Sequence, residues 1–266
     1  MSGTGVNWDA AEYARNSGAQ QEWARELITK LGLSGRESVL DLGCGDGKVT
    51  AEIAHRVPGG TVVGVDSSED MIRLSREAFP PSRHPNLRFQ PGDARALDFD
   101  REFDVVFSNA TLHWVKDHGP VLKGTARSLR PGGRILFQMG GRGNGTEIFE
   151  VAKLMTASEK WGRWFAGFQF PWGFYGSEEY APWCAAAGLR VRRIELLPRT
   201  MLQKGTEGLA GWIRTTWMPY TERVPADRRE AFVQEASALY MQGHPPDARG
   251  NVAVKMVRLE VDAVRD

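Results

Sequence analysis

The chain has 266 residues, with 34 Lys and Arg against 33 Asp and Glu, 41% apolar residues and 25% charged ones. That length allows one large domain with a buried core, and the composition excludes disordered and fibrous classes. A formal charge of +1 argues against a broad electrostatic binder of nucleic acid or membrane, which needs excess cations to neutralise phosphates. Cys44 and Cys184 lie far apart with no CxxC spacing, so neither a disulfide framework nor a zinc site is expected, nor any other metal. The opening stretch MSGTGVNWDAAEY lacks the basic and apolar regions of a leader. Cytoplasm is the expected compartment.

From Trp8 to Leu33, Tyr13, Trp23, Leu27, Ile28 and Leu31 recur at helical spacing, with a break expected at Asn16-Ser17-Gly18 and Ser17 as a cap. SVLDLG then reads as a short buried strand, and Lys48–Val57 as a helix closed by Pro58-Gly59-Gly60. TVVGVD (61–66) is a second strand and Glu69–Phe79 a helix stopped by Pro80-Pro81. LRFQ (87–90), FDVVFS (103–108) and RILFQM (134–139) are strand-like, with a helix near Pro120–Leu129 before the last. Strands alternating with helices mean βαβ units and a parallel sheet covered on both faces. Beyond Gly140 the pattern is helical and aromatic-rich to Gly188, and VRRIELL (191–197) is a strand. Helices are expected at about 206–218 and 227–242. The alternating run VAVKMVRLEV (252–261) suits an antiparallel partner of 191–197. These divisions give an N-terminal helical lid over 1–35, a nucleotide-binding-type core over 36–140, and a cap over 141–266 interleaved with the last two strands.

The sharpest feature is Val39-Leu40-Asp41-Leu42-Gly43-Cys44-Gly45-Asp46-Gly47. Its glycines let the backbone turn tightly after a strand and let a ligand lie against bare main chain at a helix N-terminus. The spacing is GxGxG, whereas a pyrophosphate-binding dinucleotide loop reads GxGxxG. Asp41 and Asp46 flank the loop. Carboxylates there repel a diphosphate and suit a ligand with an ammonium and a sulfonium, which tilts away from NAD.

This loop resembles motif I of the class I S-adenosylmethionine-dependent methyltransferases, typically (V/I)LDxGCGxG. Asp66 ends the second strand, where that family places an acid that accepts from the ribose hydroxyls. Gly92-Asp93-Ala94 follows the third strand like the motif whose acid binds the adenine amino group. Leu129-Arg130-Pro131-Gly132-Gly133 is similar to the LxPGG turn before the fifth strand. The resemblance implies S-adenosylmethionine as cofactor and S-adenosylhomocysteine as product. The implied fold is α/β, a doubly wound, mostly parallel seven-stranded Rossmann-like sheet with a helical, aromatic-rich cap. The implied cradle is Asp41, Gly43, Cys44, Gly45, Asp46 and Gly47, with Asp66, Ser67 and Met71 on the ribose side. Asp93 and Ala94 belong to the adenine side. Asn109, Ala110, Tyr13 and Arg15 complete the implied cofactor set, Arg15 as a candidate for the methionyl carboxylate.

Residues Ser108–His118 (SNATLHWVKDH) follow the fourth strand, where open α/β sheets place their ligand crevice. Base methyltransferases that carry an NPPY-type motif here grip a flipped base with it. This chain has SNAT, so nucleic acid loses support as a partner. The segment resembles that of trans-aconitate and juvenile-hormone-acid methyltransferases, a group that methylates small molecules, often on a carboxylate. Such a nucleophile is ionised at neutral pH and needs positioning by neutral donors rather than a base. Gln20 and the Trp114 indole are donors of that kind. An amine or phenol calls instead for a base, for which His113 is the candidate. N-, C- or phenolic O-methylation, or a non-catalytic protein that binds the cofactor, stay open beside carboxylate O-methylation. The expected partner is a small organic acid, with no nucleic acid or membrane, on a monomer or weak dimer. His118 is expected at the surface.

Trp161, Trp164, Trp172, Trp183, Trp212 and Trp217 concentrate in the cap. Part of this density is expected to line an apolar pocket. The Gly/Pro-punctuated loop Phe170–Gly176 suits a lid. Arg214 and Tyr220 are candidates for contact with an anionic substrate.

Overall fold

The computed structural model describes residues 18–266, with side chains from Trp23 onward. Helix α1 (Gly18–Leu31) buries Trp23, Ala24, Leu27, Ile28 and Leu31, one apolar face at helical spacing. After it come β1 (Ser38–Leu42), α2 (Lys48–Arg56), β2 (Thr61–Asp66), α3 (Glu69–Ala78), β3 (Leu87–Pro91) and β4 (Phe103–Asn109). A 3-10 turn at Leu112–Trp114 leads to α4 (His118–Ser128) and β5 (Leu129–Gly140). Then follow α5 (Thr146–Ala157), α6 (Ser177–Ala186), β6 (Leu189–Lys204), α7 (Gly205–Thr216), α8 (Arg229–Gly243) and β7 (Asn251–Arg265).

The seven strands form one sheet in the order β3-β2-β1-β4-β5-β7-β6. The β1–β2, β2–β3, β1–β4 and β4–β5 pairs are parallel, and β7 runs antiparallel to β5. The sheet is therefore mixed at this edge. Strand order reverses between β1 and β4, so a crevice opens beyond their carboxyl ends, Leu42 and Asn109. Because side chains alternate along a strand, Leu40, Leu42, Val63, Val65, Val106, Ile135 and Phe137 feed one core. Val39, Val62, Val105, Phe107 and Leu136 feed the other, which also receives Leu27, Ile28 and Leu31 of α1. Burial on both faces explains why these strands read as continuous apolar runs.

Three strands differ from the sequence reading in their boundaries. Strand β5 begins at Leu129 rather than Arg134 and takes in the Pro131-Gly132-Gly133 turn through a register shift opposite Phe103 and Val105. Strands β6 and β7 run to 16 and 15 residues, longer than their apolar alternation suggested.

The chain divides into two compact units. The larger is Gln20–Arg142, Trp172–Leu197 and Arg258–Asp266; the smaller includes Gly143–Pro171 and Pro198–Val257. The smaller has its own aromatic packing, with Trp161 edge-on to Phe232 at 5.2 Å and Phe149 stacked on Trp217 at 5.6 Å. Among the described residues, no helix is long and apolar enough to cross a membrane.

Candidate functional site

The β1–α2 turn is built by its neighbours. Gly43 and Cys44 donate their N–H groups to Val65 O at 2.7 and 3.1 Å, which pins the loop to the end of β2. Gly43 has φ +74, and a Cβ there would lie 2.0 Å from Thr111 Cγ2. Only glycine fits that approach, and Thr111 Oγ1 donates to Gly43 O at 3.1 Å, tying the turn to the end of β4. Gly45 also has positive φ, yet a Cβ on it would meet nothing within 4 Å. Its face is open.

Asp66 closes the other side. Its carboxylate accepts from Gly45 N and Ser68 N, both at 2.9 Å. Burial pushes its pKa up despite those N–H donors. Asp41 is 2% exposed, with its carboxylate on Thr50 Oγ1 at 2.7 Å. Burial, opposed by that hydrogen bond and aided by the Asp66 charge, raises its pKa to about 7. Asp46 instead holds the Lys48 ammonium at 2.7 Å.

At the ends of β4 and β5 the groups change character. Asn109 pairs with Gln138 in the ladder. Asn109 Oδ1 and Gln138 Oε1 are both buried without a hydrogen-bond partner among the described residues. Ala110 sits at φ 55, a backbone region that costs energy for any residue with a Cβ and that collects at functional sites. His113 follows, with Gly140 N 3.4 Å from its Nδ1, which makes Nε2 the protonated nitrogen. Burial first, then the charges of Arg258 and His118, push its pKa down to about 3. The loop at Trp172–Phe174 folds onto this turn. Gly173 donates to His113 O at 2.8 Å, Trp172 is edge-on to Trp114 at 5.4 Å, and the Phe174 ring lies 6.0 Å from that of His113.

A family model described as Methyltransferase domain matches residues 39–133. Trans-aconitate 2-methyltransferase of Azoarcus sp. (strain BH72) is 30% identical, over 97% of this chain and 99% of its own length. The chain belongs to the class I S-adenosylmethionine-dependent methyltransferases. Trans-aconitate 2-methyltransferase of Streptomyces coelicolor is likewise 30% identical, over 94% of this chain and 84% of its own. Two solved structures share the fold. YcgJ of Bacillus subtilis has a TM-score of 0.62 at 18% identity, covering 92% of this chain and 98% of that one. Phosphoethanolamine N-methyltransferase 2 of Haemonchus contortus, solved with phosphomonomethylethanolamine and S-adenosylhomocysteine, also scores 0.62, at 20% identity over 96% and 56%.

As a methyltransferase of this class the protein uses S-adenosylmethionine, and the site fits that molecule. The open face of Gly45 admits a ligand against main chain. The Asp66 carboxylate and the buried Asn109 Oδ1 supply acceptors for hydroxyl and ammonium groups. A diphosphate would meet the Asp66 carboxylate with repulsion.

The methyltransferase loop, Asp66, and the β4 end with Asn109, Ala110, His113 and Trp114 are thus joined through Thr111 and the Val65 carbonyl. Other expected residues stand elsewhere. Tyr13 and Arg15 lie outside the described residues, as does the side chain of Gln20, whose backbone belongs to α1. Asp41 is enclosed on Thr50 rather than flanking the loop openly. Cys44 is buried, and burial pushes its thiol well above the ordinary range. Ser67 is exposed, Met71 is buried in α3, and Ala94 packs against the core. Asp93 is clamped by Arg95 in a bidentate pair that holds its pKa below the usual range.

His118 corrects an expectation. It is 1% exposed, with Nε2 on Val115 O at 2.7 Å and Nδ1 on the Tyr180 hydroxyl, so it braces the turn from inside. Arg214 pairs with Glu207 and Glu230 in the smaller unit, and Tyr220 packs 4.6 Å from Phe168. Thr111, Gln138 and Arg258 were missed. Thr111 stood inside SNAT with no spacing to mark it. Arg258 stood inside the alternating run 252–261 with nothing to mark it.

Proposed function

We propose that the protein methylates a small organic acid on a carboxylate oxygen. The observation that carries this reading is the state of His113. A histidine with its pKa pushed down to about 3 is a poor base at neutral pH, yet its Nε2–H remains a neutral hydrogen-bond donor. An amine or phenol acceptor needs a proton removed; a carboxylate does not. The names of the trans-aconitate 2-methyltransferase relatives support the same choice.

When bound, S-adenosylmethionine supplies a methyl on a sulfonium: a carboxylate lone pair forms the O–C bond while the C–S pair returns to sulfur, leaving a methyl ester and S-adenosylhomocysteine. What falls to this chain is placement and exclusion of water. Asp66 holds the ribose hydroxyls, and Gly45 presents bare backbone, while Gly47 gives the room that Phe89 and Ser75 fill. Asp93 takes the adenine amino group while keeping Arg95. Asn109 Oδ1 receives the donor's ammonium. Trp114 and His113, with Gln20 from α1, donate to the acceptor carboxylate without neutralising it, and Trp172 and Phe174 keep water from it.

Transfer of labelled methyl to panels of carboxylic acids, amines and phenols tests this. The expected product is alkali-labile, releasing the label as methanol. Label stable to alkali on an amine or phenol would overturn the reading.

A further inference from the structure

A carboxylate that is to attack must keep its lone pair, and a guanidinium clamped on that group would hold the pair back in the ground state. A guanidinium nevertheless stands at the acceptor end. Arg258 is 4% exposed and lies on β7 opposite Gly140, whose N–H is 3.4 Å from His113 Nδ1. Its guanidinium sits 4.6 Å from the centroid of the Trp23 ring, a contact that orients the planar fork and shields it from water. Its charge reaches His113 strongly enough to help keep that imidazole neutral. Two positions along the same face, the buried Glu260 is occupied by Lys30, Arg193 and Gln138.

We propose that Arg258 holds a second carboxylate of the acceptor, one that is not methylated, and so selects dicarboxylic and tricarboxylic acids over monoacids. This rests on the carboxylate reading above. The anchored group keeps its charge through the reaction, so Arg258 binds ground state and transition state alike. Its contribution therefore appears in KM and not in kcat.

The experiment compares steady-state kinetics on polyacids and on monoacids of the same carbon skeleton for the wild type, R258Q and R258K. Truncating a buried charged partner costs enough that R258Q should raise KM for the polyacid by at least about 30-fold. Its kcat and its KM for the monoacid should stay within about threefold, and R258K should recover part of the polyacid KM. S-adenosylhomocysteine affinity, measured on the same samples, should not change. Polyacid and monoacid constants moving together, with cofactor affinity falling alongside, would show a structural arginine and overturn the assignment. If R258Q does not fold, the polyacid-to-monoacid KM ratio of R258K decides, and an unmoved ratio overturns it. Wild-type turnover confined to amines or phenols overturns the acceptor reading and this assignment together. Turnover on polyacids with an unmoved ratio overturns this assignment alone.

Discussion

Around the glycine loop the titratable groups are acids: Asp41 under it, Asp46 on its shoulder and Asp66 at its N–H groups. At the ends of β4 and β5, and on β7 opposite Gly140, they are a neutral histidine and a buried arginine, His113 and Arg258. The first half complements a methyl donor that carries an ammonium and a sulfonium. The second would complement the negatively charged acceptor proposed above. The halves also differ in construction. Every group of the acidic half lies within 26 residues of Asp41, whereas the other half needs β7 to return beside β5, pairing Gln138 with Glu260 and Gly140 with Arg258.

The most direct way to break the comparison is to attack the long-range half at its buried carboxylate. Glu260 is fully buried and accepts from Lys30 at 2.8 Å, from Gln138 at 3.2 Å and from Arg193. Burial alone would raise its pKa, but those hydrogen bonds and the two cations outweigh it and hold it low. In Glu260→Gln the two cations lose their counter-charge. Both are partly exposed, so the loss of stability should be about 2–3 kcal/mol, below that of a fully buried pair. Urea unfolding measures it. Cofactor-product affinity of the folded variant should remain within about threefold, because among the described residues the acidic half shares no partner with this cluster. An unchanged unfolding midpoint would mean that Lys30 and Arg193 simply turn to solvent.

The acidic half is probed by Asp66→Ala. Removing charge-assisted hydrogen bonds to the ribose should weaken S-adenosylhomocysteine binding by about 1.5–3 kcal/mol. Stability without ligand should change by less than about 1 kcal/mol, since the lost Gly45 and Ser68 hydrogen bonds are offset by relief of a carboxylate that burial disfavours. Calorimetric titration together with thermal unfolding separates the two effects. Affinity that stays put would show that the ribose is held elsewhere.

This contrast explains what the sequence could and could not tell. The glycine turn after β1 and the strand ends at Asp66 and before Gly92 were legible because short-range patterning marks where a strand gives way to a turn. The central strands were legible as continuous apolar runs, because both faces of the sheet are buried. His118 was misjudged because a polar residue at a helix start is usually solvated, and only the fold brings Tyr180 and the Leu112 and Val115 carbonyls around it. Arg258 and Glu260 sit at alternate positions of β7, and charge at alternate positions ordinarily marks a solvent face. Here that face is covered by α1, which brings Trp23 over Arg258 and Lys30 onto Glu260. Thr111 gave no signal, because its role is to close a gap of atomic size above Gly43.

The smallest effect on turnover is expected at His113, and it sharpens the comparison most. If its Nε2–H serves as a donor to an ionised acceptor, Asn can replace it, and kcat of His113→Asn should stay within about threefold. The pH–rate profile of the wild type should then show no ionisation from this ring between pH 6 and 8. Stability should behave differently. In the folded protein the imidazole takes up its proton only near pH 3, against 6.5 when unfolded. Between those values the unfolded chain binds the extra proton, so this contribution is intact above pH 6.5 and is lost as pH falls toward 3. Between pH 7.5 and pH 5 the wild type should lose on the order of 1–2 kcal/mol that His113→Asn does not lose. Paired urea titrations at the two pH values read that difference directly. A variant that shares the wild-type acid slope but loses turnover on carboxylates would mean that the ring is charged when it acts, and the neutral half of the crevice would have to be redrawn around a base.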